Sequence, residues 1–314
     1  MINTVLGPIP EEVLGATLMH EHIVVNQISA DLKEKTYTTS EVVDFVLPYL
    51  IDVKNKGCST IVEATPEGLG RDIEVLKQCS KKSGLNIITC TGAWDGGDVK
   101  GNCVPKVVRE KTIDEIATLW IKEIEQGIGK TKVKPGFIKM ALGDEGEIFP
   151  LQDKLLRSAI KTSLHTGFRI QCHVWLAQSM KRVVEILEEE QLPYDHFIWV
   201  HADASMDIPM IIEYAKKGMW IQFDGLAFAE SFEQYPPAIK RLINEKLLPQ
   251  LLFGQDSGSF NVKKSQKENK DQKMRPYAIF YDKFIPYCIE QGIDIQIINQ
   301  VIFENSRRAL SLIH

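Results

Sequence analysis

The sequence predicts an α/β protein built as a closed (β/α)8 TIM barrel, and three observations predict it. Short apolar runs that favour strands alternate with longer amphipathic stretches along the chain, the pattern of parallel βαβ units. Eight such units in roughly 250 residues match the size of a barrel. The first run ends in His20-Glu21-His22-Ile23-Val24-Val25-Asn26, not in the glycine-rich phosphate loop expected of a doubly wound sheet, the competing architecture.

Taken in order, the strands are expected at Thr17–Val25, Thr60–Ala64, Asn86–Thr91, Gly136–Ala141, Phe168–Val174, His196–His201, Trp220–Phe223 and Leu251–Gly254. The helices between them are expected at Ser40–Lys56, Arg71–Ser83, Ile113–Gln126, Leu151–His165, Ala177–Glu190, Ile208–Lys217 and Ala238–Glu245. Two more are expected after the last strand, near Tyr277–Gln291 and Ile293–Glu304. There is no internal repeat and no linker rich in Pro, Gly or Ser, so residues 1–314 read as one barrel domain.

Several strands carry side chains that an apolar core does not explain. On the first, His20 and His22 are two residues apart, and alternation points both imidazoles the same way. That suits a metal ion held by neutral imidazole nitrogens. On the fourth, Lys139 sits inside the apolar run Gly136-Phe-Ile-Lys-Met-Ala141, where an unpaired ammonium is costly. Either it reaches solvent or a carboxylate, or desolvation lowers its pKa and the neutral amine reacts with CO2 to give an anionic, two-oxygen ligand. His173 ends the fifth strand, His201 the sixth, and Asp256 closes the eighth. A barrel gathers the C-terminal ends of its strands at one mouth.

Other residues read differently. Cys172 should face the helix layer as a core thiol. His196, five residues from His201, falls on the opposite face and reads as structural. His165 ends a helix, where it caps carbonyls, and His314 is the chain terminus.

Composition narrows the function classes. The chain has 44% hydrophobic and 25% charged residues and a net charge of −5. That balance is ordinary for a globular protein and argues against nucleic acid or an anionic membrane as a partner. No apolar run approaches the ~20 residues of a spanning helix, and Met1–Pro8 lacks the basic start and apolar core of a signal peptide. The six cysteines are scattered with no Cys-x-x-Cys, as in a reducing compartment, so a cytoplasmic location is expected. The biased segment Lys263–Arg275 follows the eighth strand. It reads as a mobile, solvated loop, or as a lid or an anion-attracting rim, since it opens on the face where barrel sites lie.

Taken together these residues resemble the phosphotriesterase family of the amidohydrolase superfamily. The resemblance runs through Thr4-Val-Leu-Gly-Pro8, Leu18-Met-His-Glu-His22, Gly70-Arg-Asp72, Thr91-Gly-Ala-Trp94, Gly136-Phe-Ile-Lys139, His173, His201, Asp256 and Glu304-Asn-Ser-Arg-Arg308. It implies two divalent metal ions, most naturally Zn2+, with Mn2+, Co2+ or Fe2+ as alternatives. By resemblance His20, His22 and Asp256 hold the more buried ion, and His173 and His201 the more exposed one. Carboxylated Lys139 and a hydroxide bridge the pair. Asp256 is the expected catalytic proton acceptor. Asp203 matches an acidic family position and reads either as an outer proton acceptor or as a helix N-cap. The resemblance also implies a homodimer.

Two features depart from the pattern. Gly254-Gln255 precedes Asp256 where relatives often have Ser followed by His or Asn, and no aromatic wall like that of the organophosphate hydrolases is evident. The expected activity is therefore metal-dependent opening of a lactone or a related carboxylic ester, including phosphorylated sugar lactones. Arg275 or a loop lysine would pair with an anionic substituent. The alternative is phosphotriester or phosphodiester cleavage at the same centre. A mononuclear deaminase fits less well, because that class usually lacks a strand-four lysine ligand, and a non-catalytic scaffold would not need the full ligand set.

Overall fold

The computed structural model describes residues 1–31, 35–95, 103–142, 146–262 and 272–313. A short hairpin precedes the barrel: β1 (Ile2–Thr4) pairs antiparallel with β2 (Gly7–Ile9). The sequence expectation had no element there. The hairpin lies against the barrel's N-terminal end, where Val5 donates its N–H to the Ile87 carbonyl at 2.9 Å.

The barrel strands are β3 (Thr17–Val25), β4 (Thr60–Glu63), β5 with β6 (Asn86–Ile88, Cys90–Gly92), β7 (Phe137–Ala141), β8 (Ile170–His173), β9 (Phe197–Val200), β10 (Trp220–Phe223), and β11 with β12 (Leu251–Phe253, Ser257–Asn261). All their pairings are parallel. One sheet runs β11-β10-β9-β8-β7-β6 and the other β12-β3-β4-β5. The third strand breaks at Thr89 and the eighth between Phe253 and Ser257, so each broken strand belongs to both sheets and the ring of eight closes. Two expectations change here. Thr89 interrupts the expected run Asn86–Thr91, and Asp256 does not end the eighth strand but occupies its break, with β12 resuming beyond it.

Alternation sorts the side chains as the barrel requires. On β7, Ile138 and Met140 join the cluster packed under the helices, while Phe137 joins an interior cluster with Met19, Val62, Ile88 and Leu252. Cys172 falls in the outer cluster, fully buried, and burial pushes its thiol up to about 12. All six cysteines are free and buried.

The helix layer starts from conventional caps. Thr38 and Glu41 form a capping box on α1 (Thr39–Asn55), and Asp72 caps α2 (Ile73–Ser83). Within Gly70-Arg71-Asp72, Arg71 makes paired bonds to Glu123 at 2.9 and 2.6 Å, and the same carboxylate accepts from Thr91. That motif is an architectural clamp between neighbouring βα units. After the barrel the two terminal helices expected from periodicity are present, each carrying a π-helical stretch inside it, at Phe280–Phe284 and Gln300–Asn305. No helix among the described residues is long and apolar enough to cross a membrane.

Candidate metal centre

Five strand ends bring His20, His22, Lys139, His173, His201 and Asp256 to the wall of one cavity of about 390 Å3. A larger cleft of about 550 Å3 lies between the N-terminal hairpin and Lys77, Lys81, Lys132 and Lys134. Volume therefore does not mark the site; the chemistry of the lining does, because the larger cleft has no imidazole or carboxylate.

The local backbone explains how the side chains reach inward. His201 and Asp256 both have left-handed backbones, with φ of 64° and 52°, uncommon for residues with a Cβ. Each sits where a strand stops abruptly, so the turn aims its side chain across the mouth. Two glycines allow the close approach. A Cβ on Gly92 would lie 2.0 Å from the Lys139 carbonyl, and one on Gly254 would lie 2.8 Å from the His20 nitrogen.

The polar atoms converge on a point. His20 Nε2 lies 3.2 Å from His22 Nε2, 3.4 Å from Lys139 Nζ and 3.6 Å from Asp256 Oδ1. His22 Nε2 is 3.0 Å from the same oxygen. His173 lies beside them, its ring 4.5 Å edge-on from that of His201. Burial, then the neighbouring Lys139, pushes the His20 imidazolium down to about 3, so the ring is neutral at ordinary pH. Burial likewise lowers Lys139, partly offset by Asp224 and Asp256. Burial alone would raise the Asp256 carboxyl, but His20 and His22 outweigh it and hold the group well below the ordinary range.

Asp224, just past β10, is the functional residue that sequence reasoning missed. It is fully buried. Its Oδ2 lies 2.8 Å from His20 Nδ1, and its Oδ1 lies 2.7 Å from His201 Nδ1, a close contact off the line of a hydrogen bond. It also accepts from the His201 N–H and from Gln222. His20, His201 and Asp224 are close enough to be taken for a ligand triad. The carboxylate faces the Nδ1 side of both rings, however, and leaves Nε2 toward the cavity. That is the arrangement of an acceptor that orients ligands. The second grouping, His20, His22 and Asp256, lies on the cavity itself.

Several expectations need correction. Asp203 is not the N-cap of its helix, a place His201 takes. It lies inside the short helix Ala202–Ser205, buried, and accepts from the N–H groups of Asp224 and Gly225 and from the Tyr235 hydroxyl. An aromatic wall does exist: Trp94, Trp175 and Phe228 line the cavity, brought together from three separate loops. Gln255 holds structure, donating to Glu21 and the Tyr277 carbonyl and accepting from Phe280. His165 is exposed near Glu125, and Gly167 caps the helix instead. His196 meets Ser163 in the helix layer.

Arg275 reaches the cavity from beyond β12. Its guanidinium lies 4.0 Å over the Phe228 ring, and Nη2 donates to the Asp256 carbonyl. Its Nε is buried with no hydrogen-bond partner among the described residues. Residues 263–271 of the basic segment, and His314, lie outside the described residues.

Comparison with known proteins agrees with this architecture. The chain is 26% identical to the aryldialkylphosphatase of Saccharolobus solfataricus over 305 residues, covering 95% of each protein. It is 26% identical to the phospho-furanose lactonase of Mycoplasmopsis synoviae, over 98% of this chain and 91% of that one. It is 22% identical to the N-acetyltaurine hydrolase of Xenopus tropicalis, over 99% and 97%. Residues 1–310 match the sequence profile of the phosphotriesterase family, and the chain belongs to that family.

Proposed function

We propose that this protein is a binuclear metal-dependent hydrolase that opens a lactone or cleaves a related carboxylic ester. The observation that carries the metal reading is the convergence of His20 Nε2, His22 Nε2 and Asp256 Oδ1 beside Lys139 Nζ. Imidazole and carboxylate donors of this kind suit Zn2+, with Mn2+, Co2+ or Fe2+ as alternatives. His20, His22 and Asp256 would hold one ion, His173 and His201 the other, and a carbamate on Lys139 would reach both. The lowered basicity of Lys139 favours the neutral amine that CO2 requires. The Gln171 amide, in register with Lys139 on the neighbouring strand, is buried with no hydrogen-bond partner among the described residues, so a carbamate there would have a group to bond.

When bound, such ions supply Lewis acidity, which polarises a substrate oxygen and lowers the pKa of water from near 16 to about 7. The chain's own part is positioning and proton transfer. Asp256, with 17% of its side chain exposed to the cavity, is placed to take a proton and pass it to the leaving oxygen. Trp94 and Trp175 wall the site beside His173 and limit water.

Arg275 supports a substrate with an anionic substituent. Stacking on Phe228 holds the guanidinium at the cavity wall, and a fixed guanidinium suits a phosphate or carboxylate. A phospho-furanose lactonase among the relatives, aligned over nearly the whole chain, points the same way. The aromatic wall and the aryldialkylphosphatase favour a second reading, phosphotriester cleavage. Measuring kcat/KM on phosphorylated lactones, plain lactones and aryl phosphotriesters separates the two. Highest efficiency on a phosphorylated lactone supports the first, and highest efficiency on a triester replaces it with the second.

A further inference from the structure

Glu63 and Thr65 form a buried group that no step so far uses. Glu63 ends β4, in register with Glu21 on β3, and is fully buried. No cation faces it. Its Oε1 accepts from the Ile23 N–H at 3.2 Å and from the Thr65 hydroxyl at 2.5 Å, and its Oε2 from the Thr65 N–H at 3.3 Å. A carboxyl surrounded by donors on both oxygens is bonded as a carboxylate, although burial works against its charge. The Thr65 hydroxyl, also fully buried, has one proton to give. If Glu63 takes it, the Thr65 oxygen is left as an acceptor, and it lies 2.8 Å from His22 Nδ1.

We infer that Glu63 and Thr65 are a positioning pair that fixes the proton of His22 on Nδ1 through a hydroxyl relay and so presents its Nε2 lone pair to a metal ion. The chain of bonds runs one way: His22 Nδ1–H to Thr65 Oγ, Thr65 O–H to Glu63 Oε1. Neither residue lines the cavity, so neither touches substrate. His22 Nε2 does point there, 3.2 Å from His20 Nε2. His20 has a carboxylate directly on its Nδ1, whereas His22 meets one only through an intervening hydroxyl. The relay also gives a role to an acid that is fully buried in the barrel wall. Its carboxylate acts on the imidazole at one remove, by holding the hydroxyl that orients the ring.

The inference rests on reading His22 as a metal ligand, and the test keeps the two apart. Thr65→Val keeps the shape and removes the hydroxyl; Thr65→Ser keeps the hydroxyl. Zinc affinity of the apo-proteins is measured by chelator competition, with thermal unfolding of the metal-free proteins as the folding control. Thr65→Val should bind zinc about 10- to 100-fold more weakly, with Thr65→Ser close to the parent and Glu63→Gln weakened as well. Parent-like affinity in Thr65→Val, or equal loss in Thr65→Ser, overturns the relay. The 15N shifts of the His22 ring in metal-free protein give an independent readout. Nδ1–H in the parent and in Thr65→Ser, lost in Thr65→Val, supports it, and Nε2–H in the parent overturns it. A parent that binds no zinc yet shows His22 as Nδ1–H would sink the metal reading and leave the relay standing.

Discussion

Asp224 accepts the Nδ1 proton of His20 at 2.8 Å, in a place where neither side chain is more than 2% exposed to solvent. The bond spans from the first barrel strand to the loop after the seventh, and the other oxygen of the same carboxylate meets His201. One buried acid therefore sets the orientation of two histidines that would belong to different ions. Burial opposes its charge, but His201 and His20 more than compensate and hold it well below the ordinary carboxylate range.

Asp224→Asn should separate orientation from shape. The amide can accept from only one histidine and presents an N–H to the other. Zinc affinity should fall by about 10- to 100-fold, and the loss should appear for both ions, which isothermal titration of the apo-protein can resolve. Loss confined to one ion would contradict the shared role.

Lys139→Met should remove binuclear metal content without unfolding the protein, since methionine fills the same buried volume without an ammonium. Metal analysis should drop below two equivalents. Reconstitution of the parent should require bicarbonate, and full recovery in CO2-free buffer would count against the carbamate. The sign of the pH effect is also set. Burial lowers the Lys139 pKa in the folded apo-protein, so the unfolded chain binds more protons between the two pKa values. Apo-protein stability should rise with pH across that window, and urea melts should show a flatter rise in Lys139→Met.

Arg275→Ala should raise KM for a phosphorylated lactone by about tenfold or more, the cost of about 1.5–3 kcal/mol for a charge-assisted hydrogen bond. Uncharged lactones should be nearly unaffected. Arg275→Lys should recover little, because an ammonium cannot reproduce the guanidinium plane stacked on Phe228. Equal losses on charged and uncharged substrates would show that Arg275 serves only to hold the Asp256 loop.

Gly254→Ala should destabilise the protein by about 1–3 kcal/mol, the usual cost of overpacking. The new methyl would press on His20 N at 2.8 Å and Asp224 Cβ at 3.1 Å. Thermal unfolding measures the effect, and because both neighbours serve the site, metal content should fall with it.

The barrel and the six candidate ligands were legible in the sequence because alternation and strand-end position are local properties. His20, His22 and Lys139 sit within apolar strands where polar residues stand out. Asp224 obeys the same rule, directly after Phe223 on the seventh strand, and could have been found by it. The aromatic wall was not legible. Trp94, Trp175 and Phe228 come from three separate loops, and only tertiary folding puts them on one cavity. Trp94 carried a local sign as the end of the run Thr91-Gly-Ala-Trp94, and Trp175 one as the residue two beyond His173, but Phe228 carried none. The N-cap alternative for Asp203 fails because the amides its carboxylate accepts from, those of Asp224 and Gly225, lie 21 and 22 residues away in another βα unit. The break in the eighth strand was hidden because Gly254-Gln-Asp256 is stabilised by side-chain bonds from Gln255 to distant backbone, not by its own propensity.

The most direct test is anomalous diffraction from crystals grown with zinc and bicarbonate. Two peaks about 3.5–4 Å apart are expected, one against His20, His22 and Asp256 and one against His173 and His201, with continuous density from Lys139 reaching both. A cavity with no anomalous peak, or a single ion beside an unmodified Lys139 amine, would contradict the account.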